Sequence, residues 1–399
     1  MTTAKTRVLV VGGGFGGIKA ALELADAPHL EVTLLSDHDS FYYYPTLYHT
    51  ATGGAEAQSK IPLARVFEGK NVTIAHGRAQ HLDRKAKIIK TTDGTKFAYD
   101  ILVLSLGSVP NYFGIKGIEE YSFNIVTPDN AHRFKQHLHK QLADGRDPDL
   151  SYVIVGGGPT GIELAGALTG YLQEIMKAHG VKDRRLHVDL VEAAPKLVPR
   201  MPDRMGKAIA RRLKSLGVRL YLNQKVEGMT ADTLTVNGKP IQSHTVVWNA
   251  GTATNPFYKE NNFAMSDRGK IAVDEYLQAE PDIYVIGDNA ATEYSGMAQT
   301  ALYDGHYVAD NIERQQAGRL MKRYVPKRPI YVIPVGHNWA AVLWGNRQIY
   351  GIAGWMLRLA ADMVGFKDYE PWWRATRQWM TEFQNEESCE TCAKSQQKP

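Results

Sequence analysis

Val8-Leu-Val-Val-Gly12-Gly-Gly-Phe-Gly-Gly17 is the stretch on which the fold is decided. Arg7–Val11 is a continuous apolar run of strand length, the glycines follow at once, and Ile18–Ala25 continues with helical spacing before a second apolar run at Glu31–Leu35. Strand, glycine turn, helix and strand in that order make a dinucleotide-binding unit. In Gly12-x-Gly14-x-x-Gly17 the first glycine permits the tight turn, the second lets backbone approach a pyrophosphate, and the third lets the helix close on the strand. Unpaired N–H groups at the helix start then face the anion. Phe15 and Gly16 lie within the loop and count with it.

The same order recurs in mid-chain, with Tyr152–Val155, Gly156-Gly-Gly158-Pro159-Thr160-Gly161, Ile162–Met176 and His187–Val191. Each fingerprint places a ribose-binding position after its second strand. In the first unit that stretch is Ser36-Asp37-His38-Asp39, where Asp37 is the candidate, with Ser36 as its substitute. In the second it is Glu192, whose carboxylate accepts ribose hydroxyls and repels a 2′-phosphate, so NADH is expected over NADPH. Lys196 and Arg200 stand nearby as cations that keep NADPH in play.

Short strand-like runs fill the rest, among them Asn71–His76, Ala86–Thr91, Phe97–Leu106, Arg219–Leu222, Thr233–Val236, Thr245–Trp248 and Asp282–Gly287. The first unit needs later strands to complete it, so its domain is expected to be discontinuous, with the second unit inserted near 112 and 252. The fold class is α/β, with two Rossmann-like dinucleotide-binding domains and C-terminal amphipathic helices.

At 399 residues and a formal charge of +5 the chain is of ordinary globular make-up, without the dense basic face a nucleic-acid partner needs. Its first residues run straight into Val8-Leu-Val-Val with no secretory leader pattern, and its two cysteines, Cys389 and Cys392, stand in the polar tail. A reducing compartment is expected, with no disulfide framework and no metal site. Ile349–Phe366, the best spanning candidate, is broken by Arg358 and Asp362.

Over Arg319–Met380 ten cations stand against three anions. A helical projection puts Trp355, Leu359, Met363 and Phe366 on one face, with Arg358 and Asp362 on a narrow opposite stripe. A second groups Trp372, Thr376, Trp379 and Phe383, with Arg374, Arg377 and Gln378 turned away. Basic amphipathic helices with tryptophans suit a bilayer interface.

Residues 7–385 resemble the two-dinucleotide-binding-domain flavoproteins, and most closely the type II NADH dehydrogenases. Besides the glycine loops, the resemblance rests on Pro45-x-Leu47-Tyr48-x-x-Ala51-Thr52-Gly53, Leu102–Gly107, Asn111-x-Phe113-Gly114-Ile115-x-Gly117, Val191-Glu-Ala-Ala-Pro195, Trp248-x-Ala250-Gly251, Gly287-Asp288 and Ala298-Gln299-x-Ala301. It implies an enzyme that passes two electrons from NADH through FAD to a membrane quinone without pumping protons. It places the FAD-binding domain at 1–112 and 252–325, the NADH-binding domain at 113–251, a membrane-associating region at 326–385 and a flexible tail at 386–399. It further implies that Asp288 holds the flavin ribityl chain, that Ala298 and Gln299 open a helix facing the isoalloxazine, and that Pro45, Thr46, Gly107 and Gly251 border the cofactors. Glu163 would be the carboxylate between nicotinamide and quinone, and Glu163 and Gln299 are the catalytic candidates. The protein would sit peripherally on the cytoplasmic face of a membrane, with a homodimer left open.

The chain departs from the family where paired glutamines are usual: it has Tyr303-Asp304-Gly305, which leaves the quinone headgroup open. It lacks the cysteines of disulfide reductases and sulfide:quinone reductases. The alternatives are a soluble NAD(P)H oxidase or ferredoxin reductase on the same scaffold, or a redox-controlled interaction protein resembling apoptosis-inducing factor.

Overall fold

The computed structural model describes residues 5–143, 149–182 and 184–384. In chain order its first unit runs β1 (Thr6–Val11), α1 (Phe15–Leu24), β2 (Leu30–Ser36), α2 (Leu47–Ala51), β3 (Val72–His76) and β4 (Ile101–Leu104). The second runs β5 (Ser151–Val155), α3 (Pro159–Ala178), β6 (His187–Glu192), β7 (Arg219–Leu222) and β8 (Val246–Trp248). Then come β9 (Gln278–Glu280), β10 (Ile283–Val285), α4 (Ala298–Gln316), β11 (Tyr331–Pro334), β12 (Ala340–Trp344), β13 (Arg347–Gly351), α5 (Ile352–Lys367) and α6 (Trp372–Met380).

One sheet has the order β9-β10-β4-β1-β2-β3, parallel except for the β9–β10 pair, and draws strands from both sides of the second unit. The other, β7-β6-β5-β8, is wholly parallel. Strands buried on both faces must be apolar throughout, which is why Val8–Val11 and Ile101–Leu104 read as unbroken runs. The two crossings between the sheets, Ser108–Pro110 and Thr252–Thr254, pair antiparallel.

The C-terminal region departs from the sequence reading in two ways. It opens with an antiparallel sheet, β11-β12-β13, that buries Ile333, Val335, Ala341 and Leu343 in the core of the second unit. The helices that follow are also turned around. Arg358 and Asp362, expected on an outward stripe, are 3% and 8% exposed, and Gln378 is buried, whereas Ile352, Met356, Val364, Trp372, Trp373 and Phe383 face outward. The inward polar groups have partners elsewhere in the chain that a projection of one helix does not reveal: Glu382 and Tyr43 for the first two, Ala57 and Arg65 for Gln378.

No described helix is long and apolar enough to cross a membrane. The tail with Cys389 and Cys392 lies outside the described residues.

Candidate functional site

The two glycine loops match in backbone torsion, with Gly12 at φ +114° and Gly156 at +115°. A Cβ on Gly12 would stand 2.2 Å from the Ser105 carbonyl, and one on Gly156 would stand 2.6 Å from that of Asn249. The third glycines are equally constrained: a Cβ on Gly17 or Gly161 would come within 2.0 Å of the Gly12 or Gly156 carbonyl oxygen. The central glycines differ, since Gly14 and Gly158 have no protein atom within 4 Å of that position. Space is left open in front of each helix start, and no side chain caps α1 or α3. An anionic pyrophosphate fits both positions. Phe15 and Gly16 are buried in the first turn of α1, and Pro159 and Thr160 are exposed at the start of α3.

At the end of the second strand of the first unit the structure differs from the sequence reading. A Cβ on Gly157 would meet Glu192 Oε2 at 3.0 Å, and one on Gly13 would meet Ser36 Oγ at 2.6 Å, so Ser36 occupies the place Glu192 holds in the other unit. Asp37, the leading candidate, is exposed one residue beyond, near His38. Glu192 accepts main-chain hydrogen bonds from Gly157 (2.6 Å) and Ala194 (2.7 Å), which fixes its carboxylate beside the loop.

Asp288 sits in the turn Gly287–Asn289 directly after β10. Ser108 Oγ donates to its Oδ2 at 2.9 Å, Lys270 Nζ donates to its carbonyl at 2.5 Å, and Asn289 Nδ2 donates to Gly107 O at 2.5 Å. Burial holds the Lys270 ammonium below its ordinary range. Pro45 and Thr46 lie in the turn Tyr44–Thr46, but the Thr46 hydroxyl points inward to the carbonyls of Tyr43 and Gln58, and the neighbouring Tyr44 is the exposed side chain. Gly251 has φ +118° against the Phe113 ring, and Gly107 has φ +66°.

α4 begins at Ala298 with no side-chain cap and no acidic residue in its first turn, leaving its N–H groups for a ligand. Gln299, read from sequence as catalytic, has its amide engaged at both ends: Nε2 donates to Ile330 O (3.1 Å) and Oε1 accepts from Ile330 N (2.9 Å). That bridge fastens α4 to the approach of β11, and it is a different use of the side chain from the one expected.

Glu163 lies in the second turn of α3 within protein surroundings that push its carboxyl up to about 8; burial is the main cause, Arg358 opposes it and Asp362 adds to it. The Arg358 guanidinium lies between Asp362 (3.0 Å) and Glu382 (3.1 Å from Nη2). Burial raises Asp362 to about 6 against the pull of Arg358. Burial would raise Glu382 too, but the charge and hydrogen bond of Arg358 outweigh it and hold it below its ordinary value. Tyr43 donates to Asp362 at 3.4 Å, Gln58 donates to Glu382, and His49 Nδ1 meets Gln58 Oε1 at 2.9 Å. This buried network ties the C-terminal helices to α2 and lies within electrostatic reach of Glu163. Sequence reasoning missed Ser108, Lys270, Tyr43 and Glu382, since no spacing marks them.

A family model for the pyridine nucleotide-disulphide oxidoreductases matches residues 6–305. A type II NADH:quinone oxidoreductase of Staphylococcus saprophyticus is 29% identical over 377 residues, covering 88% of this chain and 92% of the relative. One from Mycobacterium tuberculosis is 27% identical over 396 residues, covering 90% and 85%. The solved structure of NDH2 from Plasmodium falciparum in complex with NADH superposes with a TM-score of 0.83 at 15% identity, covering 95% and 97%, a likeness of fold.

Proposed function

The chain belongs to the pyridine nucleotide-disulphide oxidoreductase family, and from that premise we propose that it is an FAD-dependent NADH:quinone oxidoreductase that pumps no protons. The observation that carries this is the pair of glycine loops, each with an open central glycine before an uncapped helix, with the carboxyl of Glu163 in the second turn of the helix that leaves the second loop. When bound, FAD supplies the carrier that takes a hydride from NADH and returns two electrons to the acceptor.

In this reading Gly12, Gly14, Phe15, Gly16 and Gly17 cradle the FAD pyrophosphate, Ser36 stands at its ribose, and Asp288, Gly107, Pro45 and the start of α4 border the rest. Gly156, Gly158, Pro159, Thr160 and Gly161 hold the NADH pyrophosphate, with Glu192 at its ribose and Gly251 at the mouth. The FAD domain is made of 1–112 and 252–325, with the NADH domain between them. Quinone reduction consumes one proton from the medium besides the hydride that NADH gives up. A carboxyl that stays protonated to about pH 8 is ready to donate it, and that is the role of Glu163.

The outward apolar residues of α5 and α6 rest on the cytoplasmic face of a membrane, where the quinone dissolves. Exposed Trp372 and Trp373 suit headgroup depth. The experiment is anaerobic mixing of the purified yellow protein with NADH or NADPH. Faster bleaching at 450 nm by NADH is expected, and a colourless protein, or one indifferent to both coenzymes, refutes the assignment.

A further inference from the structure

Asp304 stands where the paired glutamines of the resembling family are replaced, and the structure gives it a definite task. It is fully buried in α4. Its Oδ2 accepts the Gly287 N–H at 3.0 Å, and its Oδ1 accepts the Tyr324 hydroxyl at 2.6 Å. Gly287 has φ +72° and opens the turn that carries Asp288. Next along α4, Gly305 lies so close to α1 that a Cβ there would stand 2.4 Å from the Gly16 carbonyl. Asp304 therefore lies where the helix behind the first glycine loop, the Gly287 turn and the segment around Tyr324 converge.

We propose that Asp304 is a positioning residue for the flavin: its carboxylate pins the Gly287 N–H and so fixes the direction in which Asp288 leaves the turn. A buried carboxylate is costly unless its oxygens are used, and both are used here, one on the turn and one on the tyrosine that aims it. Burial raises its carboxyl to about 6 while the bonds from Tyr324 and Gly287 pull the other way, which leaves it largely ionised at neutral pH as a charged acceptor. Hydrogen bonds to charged groups are among the stronger ones in proteins. The acid thus serves cofactor binding without touching the cofactor. The inference rests on the flavin lying at Asp288.

The test follows flavin fluorescence released on dilution of the holoenzyme. Asp304→Leu removes the acceptor, and should raise the FAD dissociation constant about ten- to a hundredfold. Asp304→Asn restores a carbonyl acceptor and should stay within about threefold of the wild type. An Asp304→Leu protein that holds FAD like the wild type, or an Asp304→Asn protein that loses as much as Asp304→Leu, overturns the proposal. If circular dichroism shows Asp304→Leu unfolded, Tyr324→Phe decides instead. It removes only the group that aims the carboxylate and should weaken FAD about three- to tenfold, and unchanged retention overturns the proposal. Asp288→Ala in the same assay separates the two levels of the argument. FAD retention there removes the flavin assignment itself, whereas FAD loss in Asp288→Ala with retention in Asp304→Leu removes only the role of Asp304.

Discussion

Arg358 Nε stands 3.0 Å from Asp362 Oδ2, one turn along the same helix, with both groups buried. Glu382, in the short turn Thr381–Phe383 after α6, closes on the same guanidinium. One cation thus serves two carboxylates. Arg358→Met should strand them and cost about 3–5 kcal/mol, while Arg358→Met with Asp362→Leu and Glu382→Leu should regain most of it. Thermal melts of the two variants check this, and an equal loss in both would point to packing in place of charge.

Glu163 gives a pH dependence whose sign follows from its environment. Its folded carboxyl keeps a proton to about pH 8, against an ordinary value of 4.5, so the folded state binds more protons than the unfolded chain between these values. Stability therefore falls as pH rises through that window. Glu163→Gln should remove this slope, so that its Tm advantage over the wild type grows from pH 5 to pH 9. Quinone reduction should fall about a hundredfold in the variant, while ferricyanide, which takes electrons without protons, is reduced at near the normal rate. Parallel melting curves or equal losses with both acceptors would count against the acid role.

Gly14 and Gly17 should fail in different ways. A side chain on Gly17 meets the Gly12 carbonyl at 2.0 Å, whereas one on Gly14 meets no protein atom within 4 Å. Gly14→Val should fold and elute without flavin, and Gly17→Val should not accumulate as folded protein. Flavin absorbance after gel filtration, beside circular dichroism, separates the two. A flavin-loaded Gly14→Val protein would disprove the pyrophosphate position.

Much of this was legible in the sequence because glycine loops are local: the strand, the turn and the helix start lie within a dozen residues, and steric demand leaves glycine as the only choice at the tight points. Ser36 in place of Asp37 is not legible locally, because the last residue of β2 is settled by pairing with β1 and β3, where Val11 lies opposite Leu35 and Ser36 opposite His76. The inward turn of Arg358 was hidden for a similar reason, since its partner Glu382 and the Tyr43 that bonds Asp362 come from elsewhere in the chain. Asp304 is decided by its neighbours alone. The strands β11–β13 are faint in the sequence because strong helix signals follow directly.

The outward face of α5 and α6 is best probed by substitution. Truncation after Gln348 would cut β13 and remove the buried Arg358 and Phe366. Trp372 and Trp373 are exposed, so Trp372→Glu with Trp373→Glu should leave the melting temperature nearly unchanged. Cosedimentation with phosphatidylglycerol vesicles should fall at least about tenfold. Undiminished vesicle binding would move the membrane contact elsewhere.

The central claim is transfer from NADH to quinone, and the most direct measurement is anaerobic turnover of the purified, FAD-loaded protein with NADH and a water-soluble quinone, both followed by absorbance. One quinol should form for each NADH consumed, with NADPH far slower and no dependence on added ferredoxin. NADH consumption that needs oxygen or ferredoxin and yields no quinol would contradict the account.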